Sequence, residues 1–173
     1  MTTQHSERFV LRSGITLTPK QYERLDRLVS ELAANTPAQT ALLVDVTGQV
    51  VLAKGMSPQT NLAALGSLVA GDLAASQEIA RLTGEYEEYQ LVLREGRSSH
   101  TLIIPAGQYL ALLVQVAPDT PLGWARLLIR KTARQIADTA ATGHSTSVPE
   151  TEALLQDNLA DMFDDALDNL WSE

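Results

Sequence analysis

Residues 61–84, NLAALGSLVAGDLAASQEIARLTG, predict one long helix around which the other elements of the chain are arranged. The helix would run for roughly six and a half turns at about 3.6 residues per turn, and Gly84 suits the left-handed position just past its end. Large apolar residues recur at helical spacing and predict a broad stripe that packs on a sheet. The stripe comprises Leu62, Leu65, Leu68, Val69, Leu73, Ile79 and Leu82.

A second face of the same helix consists of small residues, namely Ala63, Gly66, Ser67, Ala70, Gly71 and Ala74. Each glycine inside a helix costs about 1 kcal/mol relative to alanine, so close approach of another backbone is expected to compensate for it. We therefore expect this helix to pair with its own copy in a homodimer. The dimer interface would contain Ala63, Gly66, Ala70 and Ala74. Tight packing of the small face against the chain's own sheet is the alternative.

The flanking segments predict an α/β (α+β) sandwich with a five-stranded antiparallel sheet between helices. The order is helix, two strands, helix, three strands, helix, followed by a linker and a C-terminal amphipathic tail helix. Thr18, Pro19 and Gln21 form a capping-box signature that opens the first helix, and Pro121 opens the last one with Thr120 as its cap. Strands are predicted at residues 40–46, 49–54, 88–94, 99–104 and 109–116. The last strand, YLALLVQV, is almost continuously apolar and should lie centrally in the sheet.

The chain divides into an N-terminal arm (1–17), the α/β domain (18–142), a polar linker (143–150) and an acidic amphipathic tail (151–173). Residues 1–149 contain thirteen Lys and Arg and thirteen Asp and Glu, whereas residues 150–173 contain eight acids and no base, so the net charge of −8 lies at the C-terminal end. This distribution is unsuited to nucleic acid and favours a basic partner. The apolar face of the tail would either fold back onto the body or bind a groove of another protein.

Composition and motifs predict a cytoplasmic protein with no membrane span and no catalytic, cofactor or metal site. The sequence has no cysteine, no secretory signal pattern and no apolar run of the ~18 residues that a membrane helix needs. Gly66 and Gly71 have the spacing of a phosphate-binding loop, but Asp72 stands where that loop needs lysine. The histidines share no metal-ligand spacing; they are His5, His100 and His144. Asp72 is either a capping or partner-binding carboxylate near a seam or simply exposed.

Three strings resemble the Roadblock (dynein light-chain) superfamily, over roughly residues 20–140. LVDVTGQVVLAKG at 43–55 is similar to its first hairpin, LVAGDLAASQEIARLTGE at 68–85 to its central helix, and TPLGWARLLIRKTA at 120–133 to its last helix. Within the superfamily these strings most resemble the bacterial MglB proteins. The ending DMFDDALDNLWSE at 161–173 also resembles the acidic, apolar tail of some of them.

The resemblance implies a homodimer in which the central helices pair and the sheets join edge to edge through the third strand. It further implies a non-enzymatic activator of a small Ras-like GTPase of the MglA type, with the paired helices as a platform for the GTPase switch regions. The implied platform contacts are Ala64, Ser67, Leu68, Gly71, Asp72, Ala75 and Gln77. The tail is implied to contact a second GTPase surface and to influence nucleotide exchange, through Phe163, Leu167, Leu170 and Trp171.

Asp72 departs from the asparagine that relatives usually carry, which affects the expected polarity of the platform. An inserted arginine can raise GTPase rates about 10³- to 10⁵-fold, and this chain has several arginines. The family, however, is understood to reposition the GTPase's own catalytic groups, so no catalytic residue is expected in this chain. The alternative function is a scaffold or adaptor dimer that binds a GTPase or another partner without stimulating hydrolysis.

Overall fold

The computed structural model describes residues 8–84 and 91–141. Two short strands, β1 (Phe9–Val10) and β2 (Thr16–Leu17), form an N-terminal hairpin. The helices are α1 (Pro19–Asn35), α2 (Leu62–Thr83) and α3 (Leu122–Ala141). The main sheet contains β3 (Ala38–Asp45), β4 (Val50–Lys54), β5 (Val92–Glu95), β6 (His100–Pro105) and β7 (Leu110–Val116).

The main sheet has the strand order β4-β3-β7-β6-β5, and all neighbouring strands are antiparallel. The predicted fold class and the element order within the α/β domain are therefore confirmed. Strand β7 is central, as its apolar sequence predicted, and residues 110–114 are all buried. Strand β5 is an edge strand whose only partner among the described residues is β6, while residues 88–90 of its predicted extent lie outside those residues.

The two faces of the sheet carry separate layers of helix. Helices α1 and α3 pack together on one face, above a core that includes Leu25 of α1 and Ile129 of α3. Helix α2 lies on the other face, above a smaller core that includes Val69 and Leu73. Alternation along β3 serves both cores, because Leu43 points to the first and the neighbouring Leu42 and Val44 point to the second.

The helix starts agree with the sequence prediction at α1 but not at α3. The Thr18 hydroxyl accepts a bond from the Gln21 amide at 3.3 Å, and the Gln21 side chain accepts one from the Thr18 amide at 2.8 Å, which confirms the capping box. Helix α3 begins at Leu122, so Thr120 lies one residue before the capping position. The Thr120 hydroxyl is buried and has no hydrogen-bond partner among the described residues, so the predicted Thr120 cap is wrong.

The described part of the N-terminal arm belongs to the core. Leu11, Ile15 and Leu17 are buried in the larger core, and Phe9 stacks on Tyr22 of α1 with ring centroids 4.7 Å apart. The described part of the arm thus adds the β1–β2 hairpin to the packed body. The predicted linker at 143–150 and tail at 151–173 lie outside the described residues.

None of the helices in the described ranges 8–84 and 91–141 is both long and apolar enough to cross a membrane.

Candidate interaction surface on helix α2

Helix α2 rests on the sheet through fewer large side chains than its sequence predicted. Its buried residues are Gly66, Val69, Leu73 and Ala80. Leu68, Ile79 and Leu82 were expected in the same stripe, but their residues are 69%, 62% and 71% exposed. The assignment of these three to the sheet-facing stripe is wrong, because at about 3.6 residues per turn they lie roughly 100° or more around the helix from the line through Val69 and Leu73.

Close packing within the same chain explains why residue 66 is a glycine. An added Cβ at this position would overlap the carbonyl oxygen of Gly48, in the turn between β3 and β4. Gly48 itself has a φ of 89° and packs closely on the backbone of Ser67. Helix and turn therefore meet backbone to backbone, and the predicted place of Gly66 in an exposed dimer face is wrong. The second helical glycine, Gly71, is exposed and would meet nothing within 4 Å.

The outer surface of α2 has two flanks. We call the first the small flank; it lies beside β4, because a Cβ added at Gly66 would lie 3.2 Å from Val50 Cγ2 and the flank residues stand three, four and eight positions from Gly66. It comprises Ala63, Ala70 and Ala74. We call the second the leucine flank; it adjoins Asp72, on the side of β5. It comprises Leu68, Ala75 and Ile79.

The residues expected to form a GTPase platform all lie on this outer surface. Six of them are not buried, namely Ala64, Ser67, Leu68, Gly71, Ala75 and Gln77. Asp72 is partly buried at the border with the sheet. The structure thus groups the predicted residues on one helix but distributes them over both flanks and the exposed line between the flanks. We call this line the crest; it comprises Ala64, Ser67 and Gly71. The predicted tail contacts Phe163, Leu167, Leu170 and Trp171 lie outside the described residues.

Asp72 ties α2 to the edge strand β5. Arg94 donates two hydrogen bonds to its carboxylate, Nη1 to Oδ2 at 2.6 Å and Nη2 to Oδ1 at 2.6 Å. These bonds, opposed by burial and aided by the arginine charge, lower the pKa of Asp72 below its usual value. The Asp72 carboxylate therefore lies at the seam between α2 and β5. Further along the helix, Arg81 donates to Glu78 from Nε at 2.9 Å, so both arginines near this surface are held in ion pairs.

Asp45 is a structural residue that the sequence reading missed. It is fully buried at the end of β3, and its Oδ1 accepts bonds from the Thr47 amide, the Thr47 hydroxyl and the Gln49 amide at 2.9, 2.6 and 2.9 Å. Its Oδ2 accepts a bond from the Ser13 amide at 3.0 Å. Burial raises the pKa of Asp45, but these hydrogen bonds outweigh it and hold the pKa below the usual value. Asp45 thereby fixes the turn that touches α2.

Among the described residues, no group of three or more His, Cys, Asp or Glu side chains is arranged to hold a metal ion. His100 is at the start of β6, with its Nε2 3.0 Å from the carbonyl oxygen of Pro118. The surface on α2 therefore offers shape, apolar area and one carboxylate.

Comparison with known proteins places the fold. The family model of the Roadblock/LC7 domain matches residues 24–116, more than half of the chain. A solved structure described as MglB with a tetrameric arrangement is 28% identical with a TM-score of 0.68, and the match covers 77% of this chain and 99% of that chain. The sequence has no significant match among curated protein sequences.

Two further solved structures give the same result. MglB from Myxococcus xanthus is 25% identical with a TM-score of 0.68, covering 73% of this chain and 94% of that chain. The gliding protein MglB from Thermus thermophilus is 28% identical with a TM-score of 0.68, covering 76% of this chain and 99% of that chain. The chain belongs to the Roadblock/LC7 domain family, and its structure is MglB-like.

Proposed function

We propose that this protein is a homodimeric regulator that accelerates GTP hydrolysis by a small Ras-like GTPase of the MglA type. It would act in the cytoplasm, in a system related to gliding or cell polarity, and would not itself be the enzyme. Membership of the Roadblock/LC7 family and the likeness to MglB structures, one of them described as a gliding protein, support this assignment.

The observation that carries the proposal is the exposed apolar outer surface of α2. Leu68, Ile79 and Leu82 are each more than 60% exposed on one helix, where single isolated apolar residues would be ordinary. Between them the side chains are small, so another backbone can approach closely. Such a surface fits a second protein far better than a small molecule, since the exposed helix is convex.

The position of Asp72 bears on how two copies would meet. The resemblance implies that the sheets join through the third strand, which is β5, and the bond from Arg94 of β5 marks the leucine flank as the side of α2 nearest to that edge. A dimer joined through β5 therefore brings the leucine flanks of two helices together. This geometry favours Leu68, Ala75 and Ile79 as the dimer contact, in place of the predicted Ala63, Ala70 and Ala74.

The small flank and the crest of α2 then remain open on the dimer. We propose that they form the platform for the GTPase switch regions, with Ala64, Ser67, Gly71 and Gln77 from the original prediction joined by the small flank residues. Arg94 and Arg81 are held by carboxylates, Arg97 lies between β5 and β6, and Arg126 lies on α3. Activation would therefore proceed by positioning groups of the GTPase rather than by inserting an arginine.

Two matched variants test this assignment of flanks. Leu68→Glu and Ala74→Glu place the same charge at exposed positions of one helix, on the leucine flank and the small flank. We expect Leu68→Glu to separate the dimer and Ala74→Glu to keep the dimer but lose GTPase activation, as measured by sedimentation and by GTP turnover with the cognate GTPase. Gln59→Glu, exposed in the loop before α2, is the control.

The outcomes separate the possibilities. If Ala74→Glu dissociates the dimer and Leu68→Glu does not, the small flank is the dimer contact, as the sequence first suggested. If the wild-type protein binds the GTPase but does not raise GTP turnover at saturation, the proposed GTPase activation is wrong. The alternative, a scaffold that binds without stimulating hydrolysis, would then be supported.

The tail has a separate place in the proposal. Its apolar residues Phe163, Leu167, Leu170 and Trp171 would contact the GTPase away from the platform and influence nucleotide exchange, while its acids speed association. Deleting residues 150–173 should weaken GTPase binding most at low salt. An unchanged affinity with unchanged salt dependence would contradict this role.

A further inference from the structure

The outward side of α3 carries an apolar pair next to two cations. Trp124 is 44% exposed and Leu127 is 67% exposed. Leu127 follows Trp124 by three residues and precedes Arg130 and Lys131 by three and four, so these four side chains adjoin on the helix surface. We call this group the α3 patch. It lies on the opposite face of the sheet from α2.

The cations of the α3 patch are available to a ligand. Arg130 and Lys131 are exposed, and neither forms an ion pair with any residue in the described ranges. The arginines beside the α2 surface differ, because Arg81 and Arg94 are already paired with carboxylates. An acidic apolar segment therefore gains more electrostatic free energy on the α3 patch than on α2.

We propose that the acidic tail of the same chain, residues 151–173, docks on the α3 patch. Together with the preceding Glu150 the tail contains eight acids and no base, and its apolar residues recur at helical spacing. Its apolar row, which includes Phe163 and Leu167, matches Trp124 and Leu127, and its acids match Arg130 and Lys131. An amphipathic helix on a complementary surface is a recurring mode of recognition.

The chain length permits this contact and sets its direction. Helix α3 reaches Ala141, which is the last residue that the structure describes before the tail. The eight residues 142–149 reach at most about 26–29 Å, enough for the chain to turn back along the helix. At about 1.5 Å per residue, Leu127 lies about 21 Å before Ala141, and in a helical tail Phe163 lies about 20 Å past residue 150. A tail antiparallel to α3 therefore brings Phe163 level with Leu127.

Docking would hold the tail away from α2 and leave the α2 surface free. It would also withhold the tail from any other partner, so that partner binding must first displace it. The docking itself is independent of the proposed GTPase function. It uses only the charges and apolar residues of this chain, and its test needs no GTPase.

The absence of native cysteine gives a direct experiment on the full chain. A nitroxide spin label attached to the protein through Ser172→Cys broadens the NMR signals of nearby backbone amides. The broadening reports the distance of each amide from the end of the tail. We expect about two-fold or greater loss of intensity for amides of residues 123–131 at low salt, and recovery in about 1 M NaCl, where the Debye length is about 3 Å. Amides of α2 should keep their intensity.

Charge reversal at the α3 patch is the second experiment. The double variant Arg130→Glu with Lys131→Glu should restore the amide intensities of α3. The matched reversal Lys20→Glu with Arg24→Glu, at two exposed positions of α1, should not. Melting curves by circular dichroism confirm that each variant is folded. Unbroadened α3 amides, or broadening on α2 instead, would overturn the proposal. So would equal broadening in a mixture of isotope-labelled and separately spin-labelled protein, because that places the tail on a second copy.

Discussion

The two faces of the sheet are covered by different amounts of helix. On one face α1 and α3 pack together over a core of fully buried leucine, isoleucine and valine side chains, and the N-terminal hairpin closes its margin. On the other face α2 is the one helix that the described residues provide; it buries Val69 and Leu73 but exposes three large apolar residues. The first face therefore supplies most of the stability of the body. The second leaves several large apolar side chains of one helix exposed together, which is more than the single scattered apolar residues of an ordinary surface.

The largest test of this contrast compares Ile129→Ala on α3 with Leu68→Ala on α2. Ile129 is fully buried, so its truncation should cost about 2–5 kcal/mol of unfolding free energy. Leu68→Ala should change it by less than about 0.5 kcal/mol. Urea unfolding at low protein concentration, where self-association contributes least, makes the comparison. Equal losses would mean that the two faces contribute equally to the free energy of unfolding.

Asp45 joins the two faces and should give the next largest effect. Asp45→Ala leaves the amides of Ser13, Thr47 and Gln49 without their acceptor, at an expected cost of about 2–4 kcal/mol. Its folded pKa is below the ordinary value, so its contribution is complete above about pH 4 and declines as the pH falls through the folded pKa. Urea unfolding from pH 7 to pH 2 measures this decline. Exposed Asp119→Ala is the control, and a wild-type pH profile in Asp45→Ala would contradict the assignment.

The two glycines of α2 sharpen the contrast within one helix. Gly66→Ala should lose about 1–3 kcal/mol, because its methyl group would overlap the Gly48 carbonyl. Gly71→Ala should gain about 1 kcal/mol, since space is free and alanine favours the helix. Thermal melting of both variants tests the pair. Similar shifts of the same sign would show that the turn does not press on α2.

The Asp72–Arg94 pair should give the smallest effect. It crosses from α2 to β5, but the Arg94 side chain is 56% exposed, so a double-mutant cycle with Asp72→Asn and Arg94→Gln should yield a coupling of about 0.2–1 kcal/mol. Because the pKa of Asp72 is lowered, the coupling is present above about pH 4 and is lost as the pH falls through the folded pKa. A coupling above this range would make the pair a main attachment of α2.

Local signals in the sequence were sufficient to predict the three helices, the five strands of the main sheet and their order, but not the β1–β2 hairpin. Thr18 and Gln21 specify a helix start by contacts three residues apart, and the run of apolar residues in β7 specifies a central strand. Interactions between elements were harder to predict. Leu68 and Val69 are equally apolar neighbours, and only the position of the sheet decides which of them is buried.

The errors at the candidate surface have a common physical origin. Gly66 and Gly71 look alike in sequence, yet one meets a turn that is eighteen residues earlier in the chain and the other meets solvent. Asp45 followed by Thr47 and Gly48 carries a recognisable turn signal, because aspartate commonly accepts bonds from amides two residues on. Its fourth bond, from Ser13, comes from a hairpin that no local pattern connects with it.

The close contact between Gly48 and Gly66 makes distant parts of the chain respond to events on α2. Backbone touches backbone there, so no side chain can change rotamer to absorb a small shift of the helix. A shift would pass to the turn after β3 and, through Asp45, to the N-terminal hairpin. The amide protons of Gln49 and Ser13, both bonded to Asp45, are therefore natural remote reporters: their hydrogen-exchange rates should register whether the outside of α2 is occupied.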